Sequence, residues 1–130
     1  MLIEQMEKRR PIRVYIVEDA EIVRRRLIDV VGETPHSEVI GFADTESTAI
    51  DGICQARPDL VIIDIQLRHG NGINVVHALK NMDLAPLPKM IVLTNYAFPQ
   101  YQKKCEDSGA DYFFDKSTEF SRISEVLESM

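Results

Sequence analysis

Four apolar stretches, each ending in polar residues, decide the fold of this chain: Val14-Tyr15-Ile16-Val17-Glu18-Asp19, Val61-Ile62-Ile63-Asp64, Met90-Ile91-Val92-Leu93-Thr94 and Tyr112-Phe113-Phe114-Asp115-Lys116. Each apolar run has the length and composition of a buried β-strand. The carboxyl ends of parallel strands meet at one edge of an open sheet, and ligands bind at that edge. The sequence therefore predicts that the polar residues at the ends of these runs form one pocket.

Amphipathic segments between the apolar runs predict helices. The first helix is predicted from Glu21 to Val31 and should end at Gly32, and a short strand is predicted from Val39 to Ala43. Thr45 is a suitable N-cap for the second helix. Five strands that alternate with five helices predict a doubly wound α/β fold with a parallel sheet in the order 2-1-3-4-5.

The last two helices carry clear boundary signals. Pro99 is expected to start the fourth helix and Gly109 to stop it. For the fifth helix the sequence predicts an N-cap at Ser117 or Thr118. Its apolar stripe comprises Phe120, Ile123, Val126, Leu127 and Met130.

The composition is that of one globular domain: 130 residues, 45% hydrophobic and 28% charged, with a net charge of -6. The negative charge argues against a nucleic-acid surface, and no apolar run is long enough to span a membrane. We expect residues 1–11 to form an N-terminal extension and residues 12–130 to form the domain. Because no signal-peptide pattern is visible and Cys54 and Cys105 lack redox or metal spacing, we expect a cytoplasmic protein with two free thiols.

Three carboxylates converge in the predicted pocket, because strands one and three are neighbours in the predicted order. Glu18, Asp19 and Asp64 bring like charges together, which disfavours ionisation unless a cation lies among them. Oxygen-only ligands with room for water suit Mg²⁺. With Thr94 and Lys116 nearby, the pocket is equipped for phosphoryl transfer to a carboxylate nucleophile.

These residues, in this order and spacing, resemble the receiver domain of two-component response regulators over residues 12 to 130. The resemblance also implies the flavodoxin-like fold of that family. The matching features are the acidic pair Glu18-Asp19, the strand-end Asp64, the loop residue Gly72, Thr94 and Lys116.

The resemblance implies that Asp64 accepts a phosphoryl group from a phosphohistidine, with Mg²⁺ as cofactor. Asp19 and Asp64 would ligate the metal directly, together with the backbone carbonyl of Gln66, while Glu18 would act through water. The chain would then be a signalling phosphoacceptor and not a turnover enzyme. It would catalyse only its own phosphorylation and slow dephosphorylation.

The resemblance also implies a switch. Lys116 would pair with the carboxylate and then with the phosphoryl group, while Thr94 would move to hydrogen-bond the phosphate. Phe113, three positions before the lysine, would turn inward as the threonine moves. Gln66 and Tyr96 occupy the two positions that tune autodephosphorylation in the family, and a bulky Tyr96 is expected to shield the acyl phosphate.

The partners implied by the resemblance are proteins. On the input side they are a sensor histidine kinase or a phosphotransfer protein, contacted by the first helix with Arg24, Arg25 and Arg26. On the output side they are a downstream protein or an output domain, contacted by the fourth helix, fifth strand and fifth helix. A phosphorylation-dependent homodimer is a further option, and no direct contact with nucleic acid or a membrane is expected.

Three positions depart from the family's pattern. Ser117 stands where many members carry a proline with a cis bond, so an ordinary trans peptide is expected there. Arg68 stands where proline is common. Asn95 stands where a small residue is usual and could crowd the pocket. None of these departures removes a chemical group that phosphorylation requires.

Other functions stay open at this point. Asn95 favours a receiver-like scaffold that is never phosphorylated. A metal-dependent phosphohydrolase would also use an aspartyl nucleophile, but Gln66 stands where its usual second aspartate would be. A flavin binder would need hydroxyl and backbone N–H groups in the first strand–helix loop, and the acidic Glu18-Asp19-Ala20-Glu21 repels phosphate unless a metal intervenes.

Overall fold

The computed structural model describes residues 10–130, in which strands and helices alternate along the chain. The strands are β1 (Ile12–Val17), β2 (Ser37–Ala43), β3 (Leu60–Ile63), β4 (Lys89–Thr94) and β5 (Tyr112–Asp115). The helices are α1 (Glu21–Glu33), α2 (Glu46–Ala56), α3 (Gly72–Asn81), α4 (Pro99–Ser108) and α5 (Arg122–Ser129). The predicted alternation of elements is confirmed, and most of the predicted extension, residues 1–9, lies outside the described residues.

The strands form one parallel sheet in the order β2-β1-β3-β4-β5, as the sequence predicts. The register places Val17 beside Ile63 and Ile63 beside Val92. Thr94 lies beside Asp115 in the last pair of strands. The polar residues that end or follow these strands therefore leave the sheet at the same edge.

The core has two layers, one on each face of the sheet, because successive residues of a strand point to opposite faces. On one face the buried residues from α1 and α5 are Leu27, Val31, Ile123, Val126 and Leu127. On the other face α2, α3 and α4 contribute Ala49, Ile53, Val75, Val76, Leu79 and Cys105. With helices on both faces, the strand ends are the places left for a polar site, and ligands bind at the carboxyl ends in folds of this kind.

The last strand carries aromatic residues on both faces, because side chains alternate along a strand. Tyr112 and Phe114 pack with the α1–α5 layer. Phe113 packs with the α2–α3–α4 layer, which also contains Tyr101. Phe113 and α4 therefore contact the same apolar layer.

Helix α1 is longer than its sequence predicts. Gly32 does not end the helix, which continues to Glu33, and the backbone N–H of Thr34 donates to the carbonyl of Val31 at its C-terminus. The Thr34 hydroxyl donates to the carbonyl of Val30 at 2.8 Å. A glycine inside a helix costs only about 1 kcal/mol relative to alanine, so the last turn of α1 can include Gly32, which is exposed.

The predicted N-cap of α5 at Ser117 or Thr118 is wrong, since this helix begins at Arg122. The backbone N–H and the hydroxyl of Ser117 both donate to Asp115 Oδ1, at 2.8 and 2.6 Å. This side-chain turn bends the chain before a helix can start. Phe120, the first residue of the predicted stripe, is buried ahead of the helix.

The other helix signals are confirmed. The Thr45 hydroxyl accepts the backbone N–H of Thr48 at 3.3 Å and caps α2. Pro99 begins α4, and Gly109 follows it with a φ of 111°, a left-handed conformation that suits glycine. Among residues 10–130, no helix has the length and apolar character needed to cross a membrane.

Candidate functional site

Three carboxylates meet at the carboxyl edge of the sheet. Glu18, Asp19 and Asp64 each offer one oxygen, and these oxygens lie within 4.8 Å of one another. β1 and β3 are neighbours, and the backbone N–H of Asp64 donates to the carbonyl of Val17 at 2.9 Å, which places the two strand ends side by side. Glu18 and Asp64 are buried while Asp19 is exposed, so the cluster has one side open to solvent.

Lys116 lies between two of these carboxylates. Its Nζ donates to Glu18 Oε1 at 2.6 Å and to Asp64 Oδ2 at 2.8 Å. Burial lowers the pKa of the Lys116 ammonium, but the hydrogen bonds and charges of Asp64 and Glu18 outweigh burial and raise that pKa above its ordinary value. The ammonium is therefore charged at neutral pH and offsets part of the negative charge of the cluster.

Opposing influences act on the pKa of the buried Glu18 carboxyl. Burial raises the pKa of this carboxyl, and the charge of Asp64 adds to that effect, whereas Lys116 and the backbone N–H of Ala20 oppose it. The Ala20 N–H donates to Glu18 Oε2 at 3.1 Å. The net effect is a raised pKa, so the Glu18 carboxyl ionises less readily than an exposed one. An additional cation in the cluster would favour its ionised form.

Asp64 has one carboxylate oxygen in use and one free. Oδ2 accepts from Lys116, whereas Oδ1 is buried and has no hydrogen-bond partner among the residues that the structure describes. An unsatisfied buried acceptor is costly, and hard divalent cations bind carboxylate oxygens. The three carboxylates and this free oxygen fit Mg²⁺.

A cleft of about 270 Å³ opens over the carboxylates and leaves room for water and a small anion. Asn95 and Tyr96, both exposed, line it together with the acidic cluster, so Asn95 borders the pocket without filling it. The remaining lining residues are Ala20, Val23, Gln66, Leu67 and Lys116.

Thr94 is completely buried at the end of β4 and is not part of the cleft lining. Its hydroxyl oxygen accepts the backbone N–H of Tyr96 at 3.0 Å, and its carbonyl accepts the backbone N–H of Lys116 at 3.0 Å. Thr94 thus connects the loop after β4 to the lysine. Phe113 is half-buried in the apolar layer beneath α4.

The loop after β3 carries Gln66, which is exposed and pairs with Asn71 in an isolated antiparallel bridge. A side chain on Gly72 would collide with the carbonyl oxygen of Asp64, so only glycine fits there. His69 is exposed in this loop. In the described part of the chain the cis peptide precedes Pro86, so the Lys116–Ser117 bond is trans, as predicted.

Arg24 and Glu46 support the site through contacts that the sequence analysis does not predict. The Arg24 guanidinium donates to the backbone carbonyl of Glu18 at 3.1 Å and lies over the ring of Phe42 at 4.3 Å. Glu46 contacts the loop after β3. Periodicity places both residues on helices but does not predict contacts with distant loops.

The other two arginines of α1 also have partners within the chain. Arg25 pairs with Glu21 at 2.8 Å, and the guanidinium of Arg26 lies 3.9 Å from the ring centre of Phe120. The predicted contribution of these arginines to a partner surface stays a prediction.

A comparison with known families identifies the domain. The family described as "Response regulator receiver domain" matches residues 14–128, nearly the whole chain. The chain belongs to this family. The receiver domain accounts for the sheet order, for the five helices and for the acidic edge described above.

Named relatives agree with this assignment. The DNA-binding transcriptional activator DevR/DosR of Mycobacterium tuberculosis is 28% identical over 119 residues, which cover 92% of this receiver domain and 54% of the relative. The sensory transduction protein LytT of Bacillus cereus is 30% identical over 117 residues, which cover 90% of this chain and 46% of LytT. The chain thus spans about half the length of these two relatives.

Solved structures share the fold. The response regulator domain of Thermotoga maritima CheB has a TM-score of 0.79 at 25% identity and covers 92% of this chain and 93% of its own. The signal receiver domain of the putative response regulator NarL from Mycobacterium tuberculosis has a TM-score of 0.81 at 22% identity, with coverage of 93% and 97%. The predicted flavodoxin-like receiver fold is confirmed.

Proposed function

We propose that this receiver domain is a phosphorylation switch in which Asp64 accepts a phosphoryl group from a phosphohistidine of a sensor kinase or a phosphotransfer protein. The observation that carries the proposal is the difference between the two oxygens of the Asp64 carboxylate. Lys116 orients one oxygen at 2.8 Å, while the other is buried without a hydrogen-bond partner in residues 10–130. An oriented carboxylate with a free oxygen is suited to bind a cation and to act as a nucleophile.

The proposed cofactor is Mg²⁺. Asp19 and Asp64 would hold it directly with the backbone carbonyl of Gln66, and Glu18 would act through water. Bound there, the ion would offset the negative charge of the transferring phosphoryl group. The carboxylate oxygens within 4.8 Å of one another and the open side of the cluster at Asp19 support this assignment.

In the proposed transfer, an oxygen of Asp64 attacks phosphorus, and the new P–O bond forms as the P–N bond to the imidazole breaks. The electron pair of the broken bond returns to the imidazole, which takes up a proton from solvent. Lys116 keeps its charge because its pKa is raised, and its ammonium would pair with a phosphoryl oxygen. The chain's catalytic role would be limited to its own phosphorylation and dephosphorylation.

Thr94 would couple phosphorylation of Asp64 to a structural change at the surface. Its hydroxyl oxygen holds the backbone N–H of Tyr96 at 3.0 Å, so displacement of the hydroxyl towards phosphate would move the loop after β4. Phe113 packs in the same apolar layer as Tyr101 of α4, and its inward turn would change the surface formed by α4, β5 and α5. Tyr96 lines the cleft and would slow water attack on the acyl phosphate, while Gln66 would orient a water.

We infer that the partners are proteins in the cytoplasm: a phosphodonor on the α1 side and a downstream protein or output domain at the α4–β5–α5 surface. A homodimer formed on phosphorylation would use the same output surface. The net charge of -6 supports protein contacts over direct nucleic-acid contacts by this domain.

The test is incubation with Mg²⁺ and acetyl phosphate, followed by intact mass measurement. We expect one hydroxylamine-labile phosphoryl adduct that is absent from Asp64→Asn and from samples with EDTA, and present in the exposed control Asp107→Asn. No adduct on the wild type would overturn the proposal and favour an unphosphorylated scaffold. Turnover of a phosphate ester beyond one equivalent would instead favour a phosphohydrolase.

A further inference from the structure

The loop between β3 and α3, residues 65–71, carries the Gln66 carbonyl that the proposed metal site uses. A backbone ligand can be placed only by placing the loop. Within the loop, Gln66 pairs with Asn71, and the backbone N–H of Gly72 donates to the carbonyl of Ile65 at 2.7 Å. These bonds shape the loop, and the buried side chains of Ile65 and Leu67 pack its first half into the core, but its second half, residues 69–71, needs a further tie to the rest of the domain.

Glu46, the first residue of α2, supplies that tie. Its Oε1 accepts the backbone N–H of Asn71 at 3.1 Å and the side-chain amide of Asn74 at 3.0 Å. Its own backbone N–H donates to the carbonyl of His69 at 2.9 Å. One residue thus holds the end of the loop and the first turn of α3 against the start of α2.

The loop backbone also lies directly against this side chain. Gly70 has a φ of 81°, and a Cβ placed on it would meet Glu46 Oε1 at 2.5 Å. The other tie from the same region, Arg68 to Asp44 at 3.0 Å, is largely exposed, with 62% of the arginine side chain accessible. Exposed ion pairs contribute little, so Glu46 is the stronger of these two polar restraints on the loop.

We propose that Glu46 is a positioning residue for the metal site. It is not one of the clustered carboxylates, and it acts by holding the loop so that Gln66 stays at the rim of the acidic cleft. This inference rests on the proposed function, because it assumes that the Gln66 carbonyl is a metal ligand.

Two substitutions separate the hydrogen bonds of Glu46 from its charge. Glu46→Gln keeps an oxygen acceptor, whereas Glu46→Ala removes it, and both remove the negative charge at the N-terminus of α2. A difference between the two variants therefore reports the hydrogen bonds of the side chain and its packing against Gly70, without its charge.

The experiment has two readouts. Hydrogen exchange in EDTA measures the amides of residues 65–74 without metal, and titration calorimetry measures Mg²⁺ affinity. For Glu46→Ala we expect exchange in the loop about tenfold faster, with β1 unchanged. We also expect Mg²⁺ affinity about tenfold weaker, at the lower end of the range for groups that orient metal ligands. Glu46→Gln should stay within about twofold of wild type in both.

The outcomes distinguish this inference from the proposed function. A wild type that binds no Mg²⁺ contradicts the proposed function and, with it, the role assigned to Glu46. If the wild type binds Mg²⁺ and Glu46→Ala matches it in both readouts, or Glu46→Gln binds Mg²⁺ as weakly as Glu46→Ala, the inference alone is overturned.

Should Glu46→Ala fail to fold, Asn74→Ala removes one of the same bonds and should shift both readouts in the same direction. An unchanged Asn74→Ala, compared with the exposed control Asn81→Ala, would then contradict the inference.

Discussion

Lys116→Met removes the ammonium that separates two buried carboxylates, with its Nζ at 2.6 Å from a Glu18 oxygen and 2.8 Å from an Asp64 oxygen. The lysine and Asp64 side chains are 9% exposed and the glutamate side chain is 2% exposed, so solvent screens these charges weakly. Methionine keeps the apolar stem and removes the charge. Removing one partner of a buried pair costs about 3–5 kcal/mol. Since two carboxylates lose their partner, we expect a loss of about 4 kcal/mol at pH 7 without metal.

Urea unfolding in EDTA, followed by far-ultraviolet circular dichroism, measures this loss; the chain has no tryptophan for a fluorescence assay. With a slope of roughly 2 kcal/mol per molar urea, the midpoint should fall by about 2 M. Saturating Mg²⁺ should reduce the difference between variant and wild type, because the ion supplies positive charge to the same carboxylates.

The matched control is Lys103→Met on α4, where the lysine pairs with Asp107 at 3.2 Å and is 78% exposed. This variant should lose less than about 0.5 kcal/mol. If Lys116→Met lost no more than Lys103→Met in EDTA, the reasoning that the lysine stabilises an otherwise unfavourable acidic cluster would be refuted.

Three further outcomes are expected. The folded-state pKa of Lys116 is raised above 10.5, so the stabilisation that its charge gives is complete below that pH and is lost as the pH rises through the folded-state value. In urea titrations at stepped pH, the difference in unfolding free energy between wild type and Lys116→Met should therefore shrink only above about pH 10.5. A difference that shrinks between about pH 8 and 10 would contradict this. Gly72→Ala should destabilise the domain by roughly 2 kcal/mol or more in thermal unfolding, because its Cβ would strike the Asp64 carbonyl. The control Gly32→Ala, inside α1 with nothing within 4 Å of the new Cβ, should stabilise it by about 0.5–1 kcal/mol. Similar effects at both sites would argue against the close approach of Gly72 to the Asp64 carbonyl. Tyr96→Ala should speed decay of the Asp64 phosphoryl adduct by about three- to tenfold, equivalent to roughly 0.7–1.4 kcal/mol of barrier, because the Tyr96 ring lines the cleft. Unchanged decay, followed by intact mass, would exclude the idea that Tyr96 shields the acyl phosphate from water.

Local sequence predicted the sheet because the apolar runs are short, β-branched and separated by helical periodicity. Strand order followed from the handedness of the crossovers and from the doubly wound pattern, and the structure has that order. The same rule placed Glu18 and Asp64 on neighbouring strand ends. Helix boundaries are predicted less well, because the hydrogen bonds of Thr34 at the end of α1 and of Ser117 before α5 are not contained in single-residue preferences.

The partners of the site residues needed the tertiary structure. Nothing in the order of residues shows that Lys116 reaches Glu18 as well as Asp64, since that depends on how far the β5 end lies from β1 across β4 and β3. Glu46 carries only the signal of an acidic first helical residue, which by itself is explained by the helix dipole. Its bonds to Asn71 and Asn74 exist because α2 and α3 are packed side by side.

Residue order is enough to predict which chemical groups end the strands and that they share one edge, because periodicity and crossover handedness follow general rules. The pairing of those groups depends on the folded arrangement. That arrangement left Asp64 Oδ1 without a partner in the described residues, placed Lys116 between two carboxylates and set Glu46 against a distant loop. Hydrogen bonds and buried ion pairs form only when the distance between two groups is correct to within a few tenths of an ångström, and between elements far apart in sequence only packing sets that distance.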